Sequence, residues 1–296
     1  MPSAKYTMAN MGDIYAATPK RDPYSSKADN GSVVVVAGSW KFHGAPVLAS
    51  TAAYSVLAAL RSGIGYATLF VPKGILDPVR NLSPDIIARP LTGNSLEPDD
   101  IPTITGKMAR SQCLVIGPGL GREKMTMNAV RMLLGHAKSN GMKVVVDADA
   151  IYALAGYRKE LGSDFIITPN MKEFGLFCKK DISERDLSLR VEAAMNVSRS
   201  LNAIVVLKGH DSVIANGKIA KVSRAKSSAL AVMGTGDVLS GIIGGYAALN
   251  KDAFAAAVAG VHLHTLIGDM LYKEKGNHIL ASDVVGGIPR LLSKSG

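Results

Sequence analysis

Short apolar runs alternate with longer alanine- and leucine-rich stretches along most of the chain. Residues 33–36, 113–116 and 204–207 are apolar throughout, as is typical of strands buried on both faces of a sheet. Residues 45–60 and the segment after Asp237 have the composition of helices. Further strands are predicted at residues 66–71, 143–146 and 165–167. This alternation predicts an α/β fold with a mostly parallel central sheet flanked by helices on both faces.

The N-terminal segment differs from the rest of the chain. Residues 1–30 are polar and show no clear periodicity, which predicts an irregular arm lying over the main body. Residues 31–296 contain neither a long linker nor a repeat. We therefore expect one catalytic domain over this range.

Composition limits the compartment and the partners. The chain has two cysteines, too few for a disulfide framework, and both lie in apolar settings, as expected in a reducing compartment. No signal-type segment or long apolar run stands out, so we expect a cytoplasmic protein without a membrane partner. The formal charge is +10, but its basic residues are scattered and are not interleaved with aromatics. This pattern favours anionic small molecules over nucleic acid.

The most informative motif is Gly-Thr-Gly-Asp at residues 234–237, ahead of a long helical stretch. Glycines let backbone N–H groups approach an anion closely, and a following helix places them at its positive end. Asp237 would then be placed to take a proton from a hydroxyl that attacks bound phosphate. The alternative is an ordinary helix start with an aspartate near its cap.

Other polar residues follow the predicted strands, at the edge where α/β sheets bind ligands. The glycines of residues 117–121 could present amides to a phosphate, or could form a tight turn. Asp147 could hold hydrated Mg²⁺ or a ligand hydroxyl, whereas we expect Asp149 to cap a helix. Asn170 and Glu173 suit the hydration shell of Mg²⁺, and they also fit a capping box; the two roles are compatible. Lys208 could reach a phosphate.

Taken in order, these motifs resemble the ribokinase-like superfamily, and more closely the ADP/ATP-dependent NAD(P)H-hydrate dehydratases. The resemblance covers the chain from about Thr18 onwards and is carried by Gly-Pro-Gly-Leu-Gly at residues 117–121, Asp-Ala-Asp-Ala at 147–150, and Gly-Thr-Gly-Asp-Val-Leu-Ser-Gly at 234–241. Two stretches depart from the family pattern. Asn170 stands where the family usually has histidine, and residues 227–230 replace its usual Asn-Pro-Gly-Met-like approach.

The resemblance implies a role for each part of the site. Catalysis is assigned to Gly234, Thr235, Gly236 and Asp237. Nucleotide binding is assigned to Lys208, Gly209, His210, Asp211, Ser212 and Gly236. Substrate binding is assigned to Ala45, Gly119, Gly121, Asn170 and Asp237. The metal is assigned to Glu173, acting through water, and to Asp147.

The implied reaction is the repair of hydrated NADH or NADPH. ATP or ADP with Mg²⁺ phosphorylates the ring hydroxyl, and phosphate then leaves to restore the double bond. No fused epimerase domain is expected, so an epimerase would be a separate chain, and we expect a homo-oligomer. Two alternatives remain, a vitamin-precursor kinase of the hydroxyethylthiazole type and a non-catalytic nucleotide sensor. The intact Gly236-Asp237 pair argues against the sensor.

Overall fold

The computed structural model describes residues 6–40, 45–155, 161–178 and 182–293, with the backbone alone for residues 45–49. Ten strands of this part form one sheet, in the order β1-β10-β9-β8-β7-β6-β5-β2-β3-β4. The strands are β1 (Tyr6–Met8), β2 (Ser32–Val36), β3 (Tyr66–Val71), β4 (Ile87–Pro90), β5 (Cys113–Ile116), β6 (Lys143–Val146), β7 (Phe165–Ile167), β8 (Ile204–Leu207), β9 (Asp211–Ala215) and β10 (Ala220–Arg224). Of these, β9 runs opposite to the rest.

Helices cover both faces of this sheet. They are α1 (Met11–Ala17), α2 (Ala45–Arg61), α3 (Leu76–Leu82), α4 (Ile101–Met108), α5 (Lys124–Ser139), α6 (Met171–Phe174), α7 (Leu187–Leu201), α8 (Thr235–Leu249), α9 (Ala253–Lys275) and α10 (Ala281–Leu292). A 3₁₀ helix, Ala148–Leu154, follows β6.

Alternate residues of β2 show how the two layers are separated. Val33 and Val35 pack in the cluster that includes α8 and α9, whereas Val34 and Val36 pack in the cluster that includes α5. All four are fully buried. Side chains of a strand point alternately to the two faces, so an unbroken valine run is what a doubly covered sheet needs. The predicted α/β architecture is confirmed.

The N-terminal segment is more ordered than its sequence predicted. β1 pairs in parallel with β10 at the edge of the sheet, and Ile14 and Ala17 of α1 are buried. The side chain of Asn10 caps α1 and forms a capping box with Asp13. The expectation of an irregular arm is therefore wrong for residues 6–17, because a three-residue edge strand and a seven-residue helix are too short to show a clear period in the sequence.

Two close helix contacts position the start of α8. A Cβ added at Gly241 would lie 2.2 Å from the Ser55 carbonyl oxygen of α2, and one at Gly245 would lie 2.8 Å from the Ser62 Cβ. The absence of side chains at both positions lets α8 pack closely on α2. Ser55 Oγ also donates to the Asp237 carbonyl oxygen at 2.9 Å. The first turn of α8 is thus fixed against its neighbour.

Helix α9 is long and apolar enough to cross a membrane by length and composition. In the structure, 78% of its apolar window is buried inside the protein. It therefore serves as a core helix that supports α8 and the sheet.

Candidate active site

Four polar segments meet at one edge of the sheet because β5, β6, β7 and β8 are parallel neighbours. Each strand ends just before one of them: the glycine turn after Ile116, then Asp147, Asn170 and Lys208. The N-terminal turn of α8 comes to the same place, since Asp237 interacts electrostatically with Asp147 and Lys208. The sequence prediction that these segments converge is confirmed.

The glycine turn ahead of α8 has the geometry of an anion site. Gly234 has φ of +88°, and a Cβ there would lie 3.0 Å from the Ala281 Cβ and 3.2 Å from the Tyr54 ring. Both the backbone conformation and the space exclude a larger residue. The N–H groups of Gly236 and Asp237 donate to no acceptor among the described residues. They lie at the positive end of α8, where a phosphoryl group could accept from them.

The pKa of Asp237 is unusually high for an aspartate. Burial raises its pKa to about 8, the Asp147 carboxylate adds to the rise, and Lys208 offsets part of it. No hydrogen bond from the described residues reaches its carboxyl group. A carboxyl group with a pKa near neutrality accepts a proton more readily than an ordinary aspartate does, as a general base must.

Lys208 links the acids of this edge. Its Nζ donates to Asp147 Oδ1 at 2.8 Å and lies 4.0 Å from Glu173 Oε2. Burial alone would lower the pKa of Lys208, but the Asp147 and Glu173 carboxylates raise it above its usual value. A Cβ added at Gly236 would lie 3.7 Å from the same Nζ. Lys208 is thus a firmly charged group between the acids and the glycine turn.

Asp147 and Glu173 are both buried acids whose oxygens are partly occupied. Asp147 Oδ1 accepts from Thr168 Oγ1 at 2.6 Å as well as from Lys208. Glu173 Oε2 accepts from the Asn170 N–H at 2.8 Å, and Asn170 Oδ1 accepts from the Glu173 N–H at 2.9 Å. The predicted capping box is therefore present. Burial also raises the pKa of Glu173.

Asp149 does not cap the following helix, contrary to our prediction. Its carboxylate instead reaches back to the glycine turn, accepting from the Gly121 N–H at 3.0 Å and from Arg122 Nε at 2.7 Å. The Arg122 guanidinium also stacks on the Tyr152 ring, 3.5 Å from its centroid. The Gly121 amide is thus used within the protein. A carboxylate that bonds a residue distant in sequence gives no local signal.

A cavity of about 360 Å³ opens beside the α8 turn. Its walls include Lys208, Gly209, Gly236 and the buried His264. His264 Nε2 donates to the Thr235 carbonyl oxygen at 3.0 Å, and burial lowers the pKa of His264 to about 4, so the ring is neutral at pH 7. Sequence reasoning gave His264 no role, because it lies well beyond the motif, on α9.

The remaining nucleotide-binding candidates lie in the turn after β8 and at the start of β9. His210 is exposed, and its Nδ1 lies 3.6 Å from Asp211 Oδ1. The Asp211 carboxylate accepts from Arg224 at 2.6 and 3.1 Å. Ser212 Oγ donates to the Gly209 carbonyl oxygen at 3.0 Å. Asp211 and Ser212 therefore shape the turn.

The substrate candidates lie on both sides of Asp147: Gly119 and Gly121 follow β5, whereas Asn170 follows β7 and lines a cavity of about 370 Å³ together with Lys208 and Gly209. Gly119 and Gly121 follow β5 with φ of +64° and +79°, and Asn170 is exposed at the start of α6. Ala45 is the first residue of α2, but its side chain lies outside the described part of the protein. Two larger cavities, of about 820 and 810 Å³, are lined by other residues, such as Arg61 and Gly65 in one and Arg21 and Gly63 in the other.

Comparison with known proteins decides which family shares these features. The family model described as NAD(P)H-hydrate dehydratase matches residues 33–290. The chain belongs to this family. The resemblance inferred from the motifs is thereby confirmed, and the segments at residues 117–121, 147–150 and 234–241 all lie inside the matched range.

Individual relatives agree with this assignment. A bifunctional NAD(P)H-hydrate repair enzyme of Pyrobaculum aerophilum is 33% identical over 298 residues, covering 99% of this chain and 57% of that protein. The chain therefore spans little more than half the length of that relative. An ADP-dependent (S)-NAD(P)H-hydrate dehydratase of Nitrosopumilus maritimus is 29% identical over 275 residues, covering 93% of this chain and 92% of the relative.

A solved structure supports the fold. The ADP/ATP-dependent NAD(P)H-hydrate dehydratase from Bacillus subtilis, co-crystallised with ATP/Mg²⁺, superposes with a TM-score of 0.78 at 24% identity. The match covers 99% of each chain. A ribokinase-like superfamily protein from Enterococcus faecalis also superposes, with a TM-score of 0.82 at 21% identity, covering 99% of this chain and 97% of that one. The family model thus shows the family and these structures show the fold, both independently of the site geometry.

Proposed function

We propose that this protein dehydrates hydrated NADH and NADPH in a nucleotide-dependent reaction, through phosphorylation of the ring hydroxyl and loss of phosphate. The observation that carries the proposal is the placement of Asp237. It is an acid with a pKa of about 8 in the first turn of α8, beside unpaired backbone N–H groups and the charged Lys208. Family membership gives the substrate class.

The nucleotide occupies the cavity beside Lys208 in this proposal. The N–H groups of Gly236 and Asp237 receive the phosphoryl group in transfer, at the positive end of α8. Lys208 faces the same group from the sheet edge and balances its negative charge. Gly234 and Thr235 set the shape of the turn, and His264 fixes it from behind through the Thr235 carbonyl.

Asp237 takes the proton of the ring hydroxyl as the hydroxyl oxygen forms its bond to the transferring phosphoryl group. The bond from that phosphorus to the nucleotide's bridging oxygen breaks. The carbon–oxygen bond of this phosphate ester then breaks, so that inorganic phosphate leaves with the former hydroxyl oxygen, and loss of a proton from the neighbouring carbon restores the double bond. General-base assistance of this kind contributes about 10²–10⁴-fold to a rate.

The acids of the sheet edge fit Mg²⁺ held through the nucleotide phosphates. Mg²⁺ at such sites keeps several of its waters and is held by one or two carboxylates besides the nucleotide phosphates. Glu173 would hold the ion through a water, and Asp147 would offer a second carboxylate. When bound, Mg²⁺ would neutralise charge on the phosphates.

The hydrated dinucleotide lies against Ala45, Gly119, Gly121 and Asn170 in this proposal. We further propose that the protein acts in the cytoplasm, as a homo-oligomer, and in concert with an epimerase activity for the hydrate. The name of the Pyrobaculum relative, a bifunctional repair enzyme of greater length, supports a functional link to such a second activity.

The test is a nucleotide-dependence assay with hydrated NADH. With Mg²⁺ and either ATP or ADP, we expect NADH to return and inorganic phosphate to appear in equal amounts, and we expect neither when the nucleotide is omitted. Asp237→Asn should bind nucleotide but lose about 10²-fold or more in turnover. A stable phosphorylated product without recovery of NADH would refute the dehydratase and favour a kinase.

A further inference from the structure

A buried arginine lies beneath the turn that borders the nucleotide cavity. The Arg190 side chain of α7 is among the largest that the protein buries fully, with 2% exposed. Its Nη1 donates to the Asp211 carbonyl oxygen at 2.8 Å. Its Nη2 donates to the carbonyl oxygens of Leu207 at 3.4 Å and Lys208 at 3.2 Å. One guanidinium thus holds three backbone carbonyls of a single turn.

These bonds determine where the neighbouring N–H groups point. In a trans peptide the C=O and the following N–H point in opposite directions. The Leu207 carbonyl faces Arg190, and the Lys208 N–H accordingly points away, donating to the Pro169 carbonyl oxygen at 2.9 Å. By the same geometry, the Lys208 carbonyl directs the Gly209 N–H away from Arg190.

The Gly209 N–H is available to a ligand. Gly209 lines the cavity of about 360 Å³ beside Gly236, and also a second cavity of about 370 Å³ on its other side. No acceptor among the described residues takes its N–H. A backbone N–H held in this way is a donor for phosphate oxygen.

The glycine at position 209 is required by the arginine. Gly209 does not belong to the glycines with positive φ, so its backbone conformation does not demand glycine. A Cβ there would lie 2.6 Å from Arg190 Nη2 and 3.2 Å from Cζ. The missing side chain therefore makes room for the guanidinium.

Arg190 also brings a positive charge, which interacts electrostatically with the Asp211 and Glu184 carboxylates but forms no salt bridge with a carboxylate of the described residues. The Asp211 carboxylate forms its salt bridge with Arg224, and Arg190 Nε has no hydrogen-bond partner among the described residues. A buried charge acts on its surroundings with little screening by solvent. Such a charge beneath a phosphate site strengthens the binding of a polyanion.

We propose that Arg190 is a positioning residue for nucleotide binding. By holding the three carbonyls it directs the Gly209 N–H towards the nucleotide phosphates and adds positive potential beneath them. This inference rests on the proposed function, since it requires a nucleotide beside Lys208.

The test measures nucleotide affinity directly, by titration calorimetry of ATP or ADP with Mg²⁺. We expect Arg190→Met to raise the Kd by at least about tenfold, the loss expected for one hydrogen bond to a charged group. Arg190→Lys keeps the positive charge but lacks the two Nη groups that bind the carbonyls. Its Kd for nucleotide should lie between the values of the parent and of the Arg190→Met variant. Arg199→Met is the matched control, because Arg199 lies on the same helix and holds the remote Gly217 carbonyl at 2.9 Å.

A structural role alone predicts a different result. Loss of a buried arginine lowers stability, and an effect on stability alone would reduce the folded fraction without changing the Kd of the folded protein. A positioning role raises the Kd and KM for nucleotide while the KM for hydrated NADH stays near the parent value. Gly209→Ala keeps every hydrogen-bonding group but displaces the guanidinium, and it should also weaken nucleotide binding. If Arg190→Met does not fold, the Kd of the Gly209→Ala variant tests the positioning role instead.

Two results would overturn the inference, and they are distinguishable. If the parent binds neither ATP nor ADP, the proposed function fails and this inference fails with it. If the parent binds nucleotide and both Gly209→Ala and the folded Arg190 variants bind it with the parent's Kd, the inference alone is wrong.

Discussion

Replacing Asp237 by asparagine should stabilise the unliganded protein at alkaline pH. The substitution keeps the shape of the side chain. It removes the negative charge that the carboxyl group carries at alkaline pH, and this buried charge destabilises the folded protein. Because the folded-state pKa of Asp237 is about 8 and its ordinary value is 3.8, the folded protein retains a proton between these values that the unfolded chain has lost. Stability linked to Asp237 therefore falls as the pH rises from about 4 to 8.

The size of the effect follows from the two pKa values. Each unit corresponds to about 1.4 kcal/mol, so the full difference between 3.8 and about 8 sets an upper bound of about 6 kcal/mol above pH 8. Asp237 is half-buried and retains some solvent access in the cleft, and we expect about 2–3 kcal/mol to be measurable. At about 2–4 °C per kcal/mol, Asp237→Asn should raise the Tm by roughly 5 °C or more at pH 8.5.

The assay is thermal unfolding of parent and variant in steps from pH 5 to pH 9. The advantage of the Asn variant should shrink steadily as the pH falls. Asp283→Asn is a control in which the change in stability has the opposite sign. Asp283 accepts hydrogen bonds from Lys275 and the Leu280 N–H, which hold its pKa below the usual value. That variant should be less stable than the parent at neutral pH. An Asp237→Asn protein no more stable than the parent at pH 8.5 would refute the reasoning.

Three further substitutions test other parts of the site. Lys208→Met leaves Asp147 as an unpaired buried charge, so it should lower the free energy of unfolding by about 3 kcal/mol and weaken nucleotide binding; an unchanged denaturation midpoint would contradict the pairing. Glu173→Gln should raise the Mg²⁺ concentration for half-maximal rate, and unchanged metal dependence would leave Glu173 as a helix cap. Gly241→Ala forces α8 away from the α2 backbone and should cost about 1–3 kcal/mol in thermal unfolding, whereas Gly286→Ala, which meets no atom within 4 Å, should not destabilise.

Much of the fold could be predicted because its central strands are continuous apolar runs. The predicted strands at residues 66–71, 113–116 and 204–207 agree with β3, β5 and β8 at both ends. The edge strands β1 and β4 were missed. Most of their residues are exposed, and an edge strand lacks the apolar run that marks a central strand.

The site was predicted where its residues stand next to strands or glycines in the sequence. Asp237, Lys208 and Glu173 follow such signals, and the structure brings them together. His264 and Arg190 were missed because they act on the backbone of distant turns, and such contacts leave no local pattern. The pairing of Lys208 with Asp147 spans 61 residues, so the tertiary fold alone determines it.

The central claim is that the ring hydroxyl is phosphorylated and leaves as phosphate. Hydrated NADH carrying ¹⁸O in that hydroxyl tests it most directly, with mass spectrometry of the inorganic phosphate formed in unlabelled water. Our account predicts that the phosphate carries one ¹⁸O for each NADH restored, with ATP or ADP as the donor. Label found in water, with unlabelled phosphate, would show that nucleotide hydrolysis and dehydration are separate events and would contradict the account.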